Sequence, residues 1–315
     1  DTASATYQQS GGTATKTGEA IAASEADQSA VWVTDGGSLT LTDVTVTSTG
    51  DTSSADDSSF YGLDAAVLAD DGSSITMAGG SITTTGTGAN GAFASGDGSS
   101  VSLTGTTIAA TGDAAHGVMA TQGGSASLTD VTIDTTGAHA APIATDRGSG
   151  TVTVQGGTFT SSGDGSPGIY STGAITADGI VVAATGSETA VIEGANSIAL
   201  TDSSLTTSVE DLRGVMIYQS MSGDAEGTDG TFTMTGGSLA STADTGPLFY
   251  VTNATGIITL TDVDVTAGSG VLVQAAADSW GTTGSNGGHA VVTASGETLT
   301  GDLVADDISS ISLML

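Results

Sequence analysis

The chain has 315 residues, with 48 Gly, 3 Pro and no Cys, and it sets 35 acids against three bases, Lys16, Arg147 and Arg213, for a formal net charge of −32. Such a surface repels phosphate backbones and anionic headgroups, which excludes a nucleic-acid partner and opposes binding to an anionic membrane. The lack of Cys excludes disulfide scaffolds, thiol catalysis and Cys-ligated zinc, and Gly without a strict three-residue period excludes collagen.

Disorder is excluded by pattern: 37 % of the residues are apolar, and they alternate with β-branched neighbours at period two. Helix-forming Glu, Lys, Arg and Gln are scarce, so a helix is expected nowhere except in a cap. No stretch approaches the 18 or so apolar residues of a bilayer-spanning helix, so direct membrane insertion is not expected.

Residues 1–27 fit no repeat well and are predicted to form an N-terminal cap or an irregular first coil, since terminal repeats are atypical. From 28 to 295 the chain repeats itself every 22–32 residues. The run Val31–Val46 (VWVTDGGSLTLTDVTV) and the run Val118–Ile133 (VMATQGGSASLTDVTI) correspond position for position without a gap. Each repeat reads as three short strands. The first is the most apolar, as in Ala66–Ala69 or Leu248–Tyr250, and a Gly-containing turn follows it. The second alternates, as in Leu39-Thr40-Leu41 and Phe232-Thr233-Met234. A Thr-Asp, Thr-Gly or Gly-Gly corner precedes the third, as in Val131-Thr132-Ile133, because Gly and Asp tolerate positive φ. A fixed period of this size marks a solenoid in which each unit buries its apolar face by stacking on the next. The fold expected is all-β: a single-domain right-handed parallel β-helix of about ten coils. The competing antiparallel barrel or sandwich would need hairpin turns and no constant coil period. Residues 296–315 read as a terminal coil that continues further or assembles onto a neighbouring molecule, giving a homo-oligomer or an end-to-end filament.

Four insertions interrupt the repeat: Asp51–Asp64, Val209–Arg213, Ser220–Gly230 and Ala275–His289, all bordering first strands. The scarce polar and aromatic residues gather on the same side. Gln122, Arg147, Tyr170, Glu193, Tyr218, Gln219, Tyr250, Asn253 and Gln274 lie in or beside first strands, and stacking would align them as a stripe. With Trp280 they are the candidate ligand-binding residues, the aromatic rings serving as sugar platforms. In pectin-lyase-type β-helices a groove beside one sheet binds polysaccharide, and the functional reading here is a glycan-binding groove of that kind.

No catalytic set stands out. If the chain were a lyase or glycosidase, Asp146, Glu193, Arg147 and Arg213 would be the candidates, with Asp146 and Glu193 two coils, or about 9–10 Å, apart by strand spacing. His116, His139 and His289 show no metal-ligand spacing and read as surface residues. No cofactor is expected. Ca²⁺ is a candidate where the corner acids Asp178 and Asp202 fall in adjacent coils, against the alternative of an Asp capping its own turn. The second-strand column Thr40, Thr76, Ser102, Ser127, Thr153, Thr176, Thr233 and Thr259 makes a flat hydroxyl array, interrupted at Ala199, which resembles the Thr arrays of ice-binding solenoids.

Over residues 28–315, the phrases GGSLTLTDVTV and ANGAFASGDGSSVSLTGTTI and the segment Gly296–Ile308 resemble bacterial right-handed β-helix surface proteins of the adhesin and autotransporter-passenger type. The resemblance implies an extracellular or cell-surface location and adhesion to glycans, to a host or community surface, or to other copies of the chain. It implies no catalytic residues.

Overall fold

Alternation decides what faces inward. In the second strand of one winding, Ser38–Thr42, Leu39 and Leu41 are buried and Thr40 is exposed, and the neighbouring windings repeat the pattern with Ile75 and Met77 around Thr76. A single winding cannot cover its apolar side. Stacking solves this, and it also satisfies the backbone N–H and C=O groups of each strand with those of the windings above and below.

The computed structural model, which describes residues 4–315, shows the result to be a right-handed parallel β-helix. Three sheets run along the rod, two of twelve strands and one of ten, and every strand pairs with its equivalent one winding away. Leu39 stands beside Ile75, Ile75 beside Val101, and Val101 beside Ala126, all in parallel register. At about 4.8 Å per step the rod is on the order of 50–55 Å long. One continuous apolar core fills it from Ile21 to Ala294.

Three expectations change in detail. First, residues 4–23 form a complete winding of three strands, Ser4–Ser10, Thr13–Thr17 and Ala20–Ala23, each in register with the next winding. Its inward residues Tyr7 and Ala14 are half-buried, because no described winding covers their other side. Second, the step between register partners ranges more widely than the repeat suggested, from 21 residues (Ile169 to Ala190) to 36 (Val31 to Val67). Third, the long step contains a helix, α1 (Ala55–Tyr61), where none was expected outside a cap. Ser54 caps it by accepting a hydrogen bond from the Asp57 N–H, Asp56 and Asp57 occupy its first turn, and Gly62 ends it at φ 78°.

The corners have their own chemistry. Asp43, Asp130, Asp202 and Asp262 take left-handed φ of 45–54° between the second and third strands. Each carboxylate lies over a glycine of the next winding (Gly79, Gly156, Gly236 and Gly296), where a methyl group would collide with it. At the third corner the glycines themselves are stacked. A methyl group on Gly86, Gly112, Gly137, Gly163 or Gly186 would strike the carbonyl of the glycine one winding earlier.

The last strands, Asp302–Ala305 and Ser310–Met314, pair in parallel with Val271–Ala275 and His289–Ser295. Leu303, Val304, Ile308, Met314 and Leu315 are exposed there.

Candidate functional site

The first sheet departs from simple alternation, since strands such as Ala92–Ser95 and Val118–Thr121 are buried on both faces. Its outward positions are apolar where the second sheet has hydroxyls. Leu68, Phe93, Met119 and Ala144 follow one another in register, and Tyr170, Val191, Met216 and Tyr250 continue the same column. An outward apolar stripe in water needs a cover. The insertions supply two. Helix α1 and the chain after it cover the first half, where Ala65, Leu68, Phe93 and Met119 form a separate cluster outside the main core. The segments 220–230 and 275–289 flank the second half, where Trp280 and Ala276 pack on Val191, Met216 and Tyr250.

Both arginines tie these roofs down. Arg147 lays its guanidinium 3.8 Å from the Phe60 ring centroid on α1 and reaches Asp224 of the 220–230 loop at 3.0 Å. Arg213 joins Glu188 and Asp278, each at 3.3 Å, and stacks 4.6 Å from the Tyr250 ring centroid. The Tyr250 hydroxyl donates to the same Asp278 carboxylate at 2.8 Å. Arg213 is thus paired with two carboxylates, whereas Arg147 has one and is partly exposed.

Between the roofs the stripe stays open as a cleft of about 490 Å³. Tyr170, Val191, Met216 and Tyr218 line it, Trp280 and His139 stand in its walls, and Asp164, Glu188 and Arg213 contribute charge. The Trp280 and Tyr218 ring centroids are 5.0 Å apart with planes at 60°. A second, more polar hollow of about 680 Å³ lies where Arg147 and Ser149 face Gly223–Gly227.

Glu193 organises the floor without being open to it. It is 1 % exposed, and one oxygen accepts the hydroxyls of Tyr170 (2.6 Å) and Tyr218 (3.0 Å) while the other accepts the Ser220 N–H (3.3 Å) and the Ser220 hydroxyl. Burial first, then the nearby carboxylates, holds both tyrosines well above the ordinary phenol range, so their protons stay on. Asp146 ends the first strand two windings before the one that Glu193 ends. Burial, followed by the charges of Asp224 and Glu193, raises its carboxyl to about 7, against the hydrogen bond from the Arg147 N–H.

Gln122, Gln219, Asn253 and Gln274 are not among the residues lining this cleft. Gln122 is a left-handed corner residue (φ 54°) whose N–H donates to the Arg147 carbonyl. Gln219 is buried, and its side-chain amide donates to the carbonyls of Ala225 and Gly227, shaping the loop beside the cleft. Asn253, also left-handed, donates to the Gln219 carbonyl. Gln274 pairs with Tyr250 at the far end of the stripe. His116 is half-buried rather than a free surface residue: its Nδ1 accepts the Ala141 N–H at 3.0 Å, and burial lowers its pKa to about 4. His139, exposed one winding on, shares the cleft with it, a juxtaposition that no sequence spacing announces.

The equivalence assumed for Asp178 and Asp202 is off by one position. Asp178 stands beside Thr201, and Gly179 (φ 67°) holds the left-handed corner that Asp202 holds in the next winding. Among the described residues, no three His, Asp or Glu side chains gather as a metal-ligating group. The hydroxyl column of the second sheet runs in register from Thr40 through Thr76 and Ser102 to Thr259, with Ala199 as its gap. Comparison with protein-family models, with curated proteins and with solved structures returns no match, so the chain is assigned to its architecture, the right-handed parallel β-helix, and to no family.

Proposed function

We propose that this chain is an extracellular or cell-surface β-helix that binds a small ligand, carbohydrate being the first class to test, in the cleft between its two roofs, and that it acts as an adhesive or structural element without catalysis. The observation that carries this reading is the aromatic cleft itself. Tyr170, Tyr218 and Trp280 expose ring surface around an apolar floor, in a hollow whose size falls within the roughly 300–1,000 Å³ range of small-molecule sites. Flat rings over an apolar floor suit the C–H faces of a sugar, and the rim carboxylates supply acceptors for its hydroxyls. The acidic, Cys-free surface fits an extracellular setting.

The test is a glycan-array screen of the wild type beside Trp280→Ala. Saturable binding that is lost in the variant supports the reading, and binding unaffected by it places the ligand elsewhere.

A second reading, polysaccharide cleavage, is favoured by one observation: Asp146 has its pKa near 7 close to a second carboxylate, as a general acid requires. Glu193 is a poor partner, since both of its oxygens are occupied by Tyr170, Tyr218 and Ser220. Depolymerisation of a neutral polysaccharide, abolished in Asp146→Asn, would establish the enzyme reading.

A further inference from the structure

We infer that the cleft selects ligands carrying an alkylammonium group. The inference rests on the cleft being a binding site, as proposed above, and adds the chemistry of what it recognises. Three tests of charge agree. The only guanidinium in the wall, Arg213, is spent on Glu188 and Asp278, so no free guanidinium awaits a uronate, sulfate or sialate. His116 adds no charge, because a ring nitrogen that accepts the Ala141 N–H carries no proton. Asp164 faces the cleft, the Glu188–Arg213–Asp278 group sets two acids against one base, and the Glu193 carboxylate lies beneath the floor.

The rings are arranged to match. Tyr170 and Tyr218 both donate their hydroxyl protons to Glu193, so both rings line the cleft with those protons already engaged. Trp280 meets Tyr218 at 60° and forms an angled wall. Angled aromatic faces in an acidic field are the arrangement that holds a cation bearing carbon substituents through cation–π attraction. Val191 and Met216 in the lining favour those substituents over a hydrated inorganic ion.

Two sources carry this group, a choline-type headgroup and an amino sugar, and one experiment separates them. Binding of choline, glucosamine, N-acetylglucosamine and glucuronate to the full chain is measured calorimetrically at matched ionic strength. The result expected is saturable binding of choline and glucosamine, with N-acetylglucosamine, the same ring without the charge, about tenfold weaker and glucuronate not bound. Trp280→Ala should weaken choline binding by about tenfold. Asp164→Asn, a change at an exposed rim residue that leaves the fold intact, should weaken it by a smaller factor, and Thr153→Ala on the second sheet should not change it.

Glucuronate or N-acetylglucosamine binding as tightly as glucosamine would overturn the inference and leave the carbohydrate reading standing. Choline binding without any sugar would support the inference and remove carbohydrate as the ligand. Failure of all four probes would overturn the inference while the glycan array decides the carbohydrate reading separately, and choline binding indifferent to Trp280→Ala and Asp164→Asn would overturn the inference at this cleft.

Discussion

The first and second sheets have equal numbers of strands and the same parallel pairing, yet one is roofed and the other bare. In the second sheet the central outward column reads Thr76, Ser102, Ser127, Thr153, residues that water can serve directly. In the first it reads Leu68, Phe93, Met119, Ala144, residues that water cannot serve, and the α1 insertion covers that part of the stripe while two later insertions flank the rest. The comparison teaches that the repeating backbone is indifferent to function. What it presents is decided by every second side chain, and what becomes of that surface is decided by the few segments that leave the repeat.

The sharpest test is a pair of outward substitutions. Phe93→Ala removes a ring that points away from the main core yet is wholly buried beneath the α1 roof, and it should destabilise the chain by about 3–5 kcal/mol. The matching change on the bare sheet, Thr153→Ala, should stay within about 0.5 kcal/mol. Denaturant unfolding of both variants checks this, and equal effects would mean that the roof contributes nothing.

Titration should separate the two sides next. Asp64, buried after α1 with one oxygen accepting the Gln28 N–H and the other unpartnered, is raised by burial from 3.8 to about 7, as is Asp146. A raised folded pKa means that the folded state holds the proton more tightly. The stability each contributes is therefore full below about pH 4 and is lost as the pH rises toward 7. His116 acts in the opposite sense: burial depresses its folded pKa from 6.5 to about 4, and its contribution is lost as the pH falls through that window. Two acids against one histidine give a melting temperature that declines from about pH 5 to pH 8. Asp64→Asn and Asp146→Asn should each flatten that decline, and His116→Gln should steepen it. A profile unchanged in all three would break the assignment.

Smaller effects belong to the floor and the clip. Glu193→Ala leaves the hydroxyls of Tyr170 and Tyr218 without their acceptor and should cost about 1–3 kcal/mol, with Glu193→Gln recovering part of it in the same unfolding assay. Arg147→Ala should cost about 1 kcal/mol or less, since the pair with Asp224 is partly exposed. Its clearer signature is faster proteolysis within residues 220–230, which the second sheet has no counterpart to show.

Most of the architecture was legible because the signal is repeated. Leu39-Thr40-Leu41 alone is ambiguous, but the same alternation at Ile75–Met77, Val101–Leu103 and Val152–Val154 is not. What happens once was harder to read. Helix α1 has a Ser54 cap, acids in its first turn and a terminating Gly62, but seven residues inside a Ser- and Asp-rich insertion carry no apolar period. The identity of the stripe residues was legible, whereas their burial was not, because it depends on distant insertions folding over them. His116 sits in a Gly- and Ala-rich turn, where nothing local distinguishes a half-buried ring from a free surface one. The Asp178 and Asp202 offset arose because Gly179 performs in one winding the turn that Asp202 performs in the next.

The parallel register has a consequence for how such a site can change. The two roofs are anchored to different windings, so the length of the cleft is quantised. It can grow or shrink only by whole steps of about 4.8 Å. Duplicating or excising one repeat between α1 and the 220–230 loop would shift one wall by a single notch, and of the contacts described above the one it must break is the Arg147 bridge from Phe60 to Asp224, a ruler along which ligand size could be tuned by re-forming a single clip.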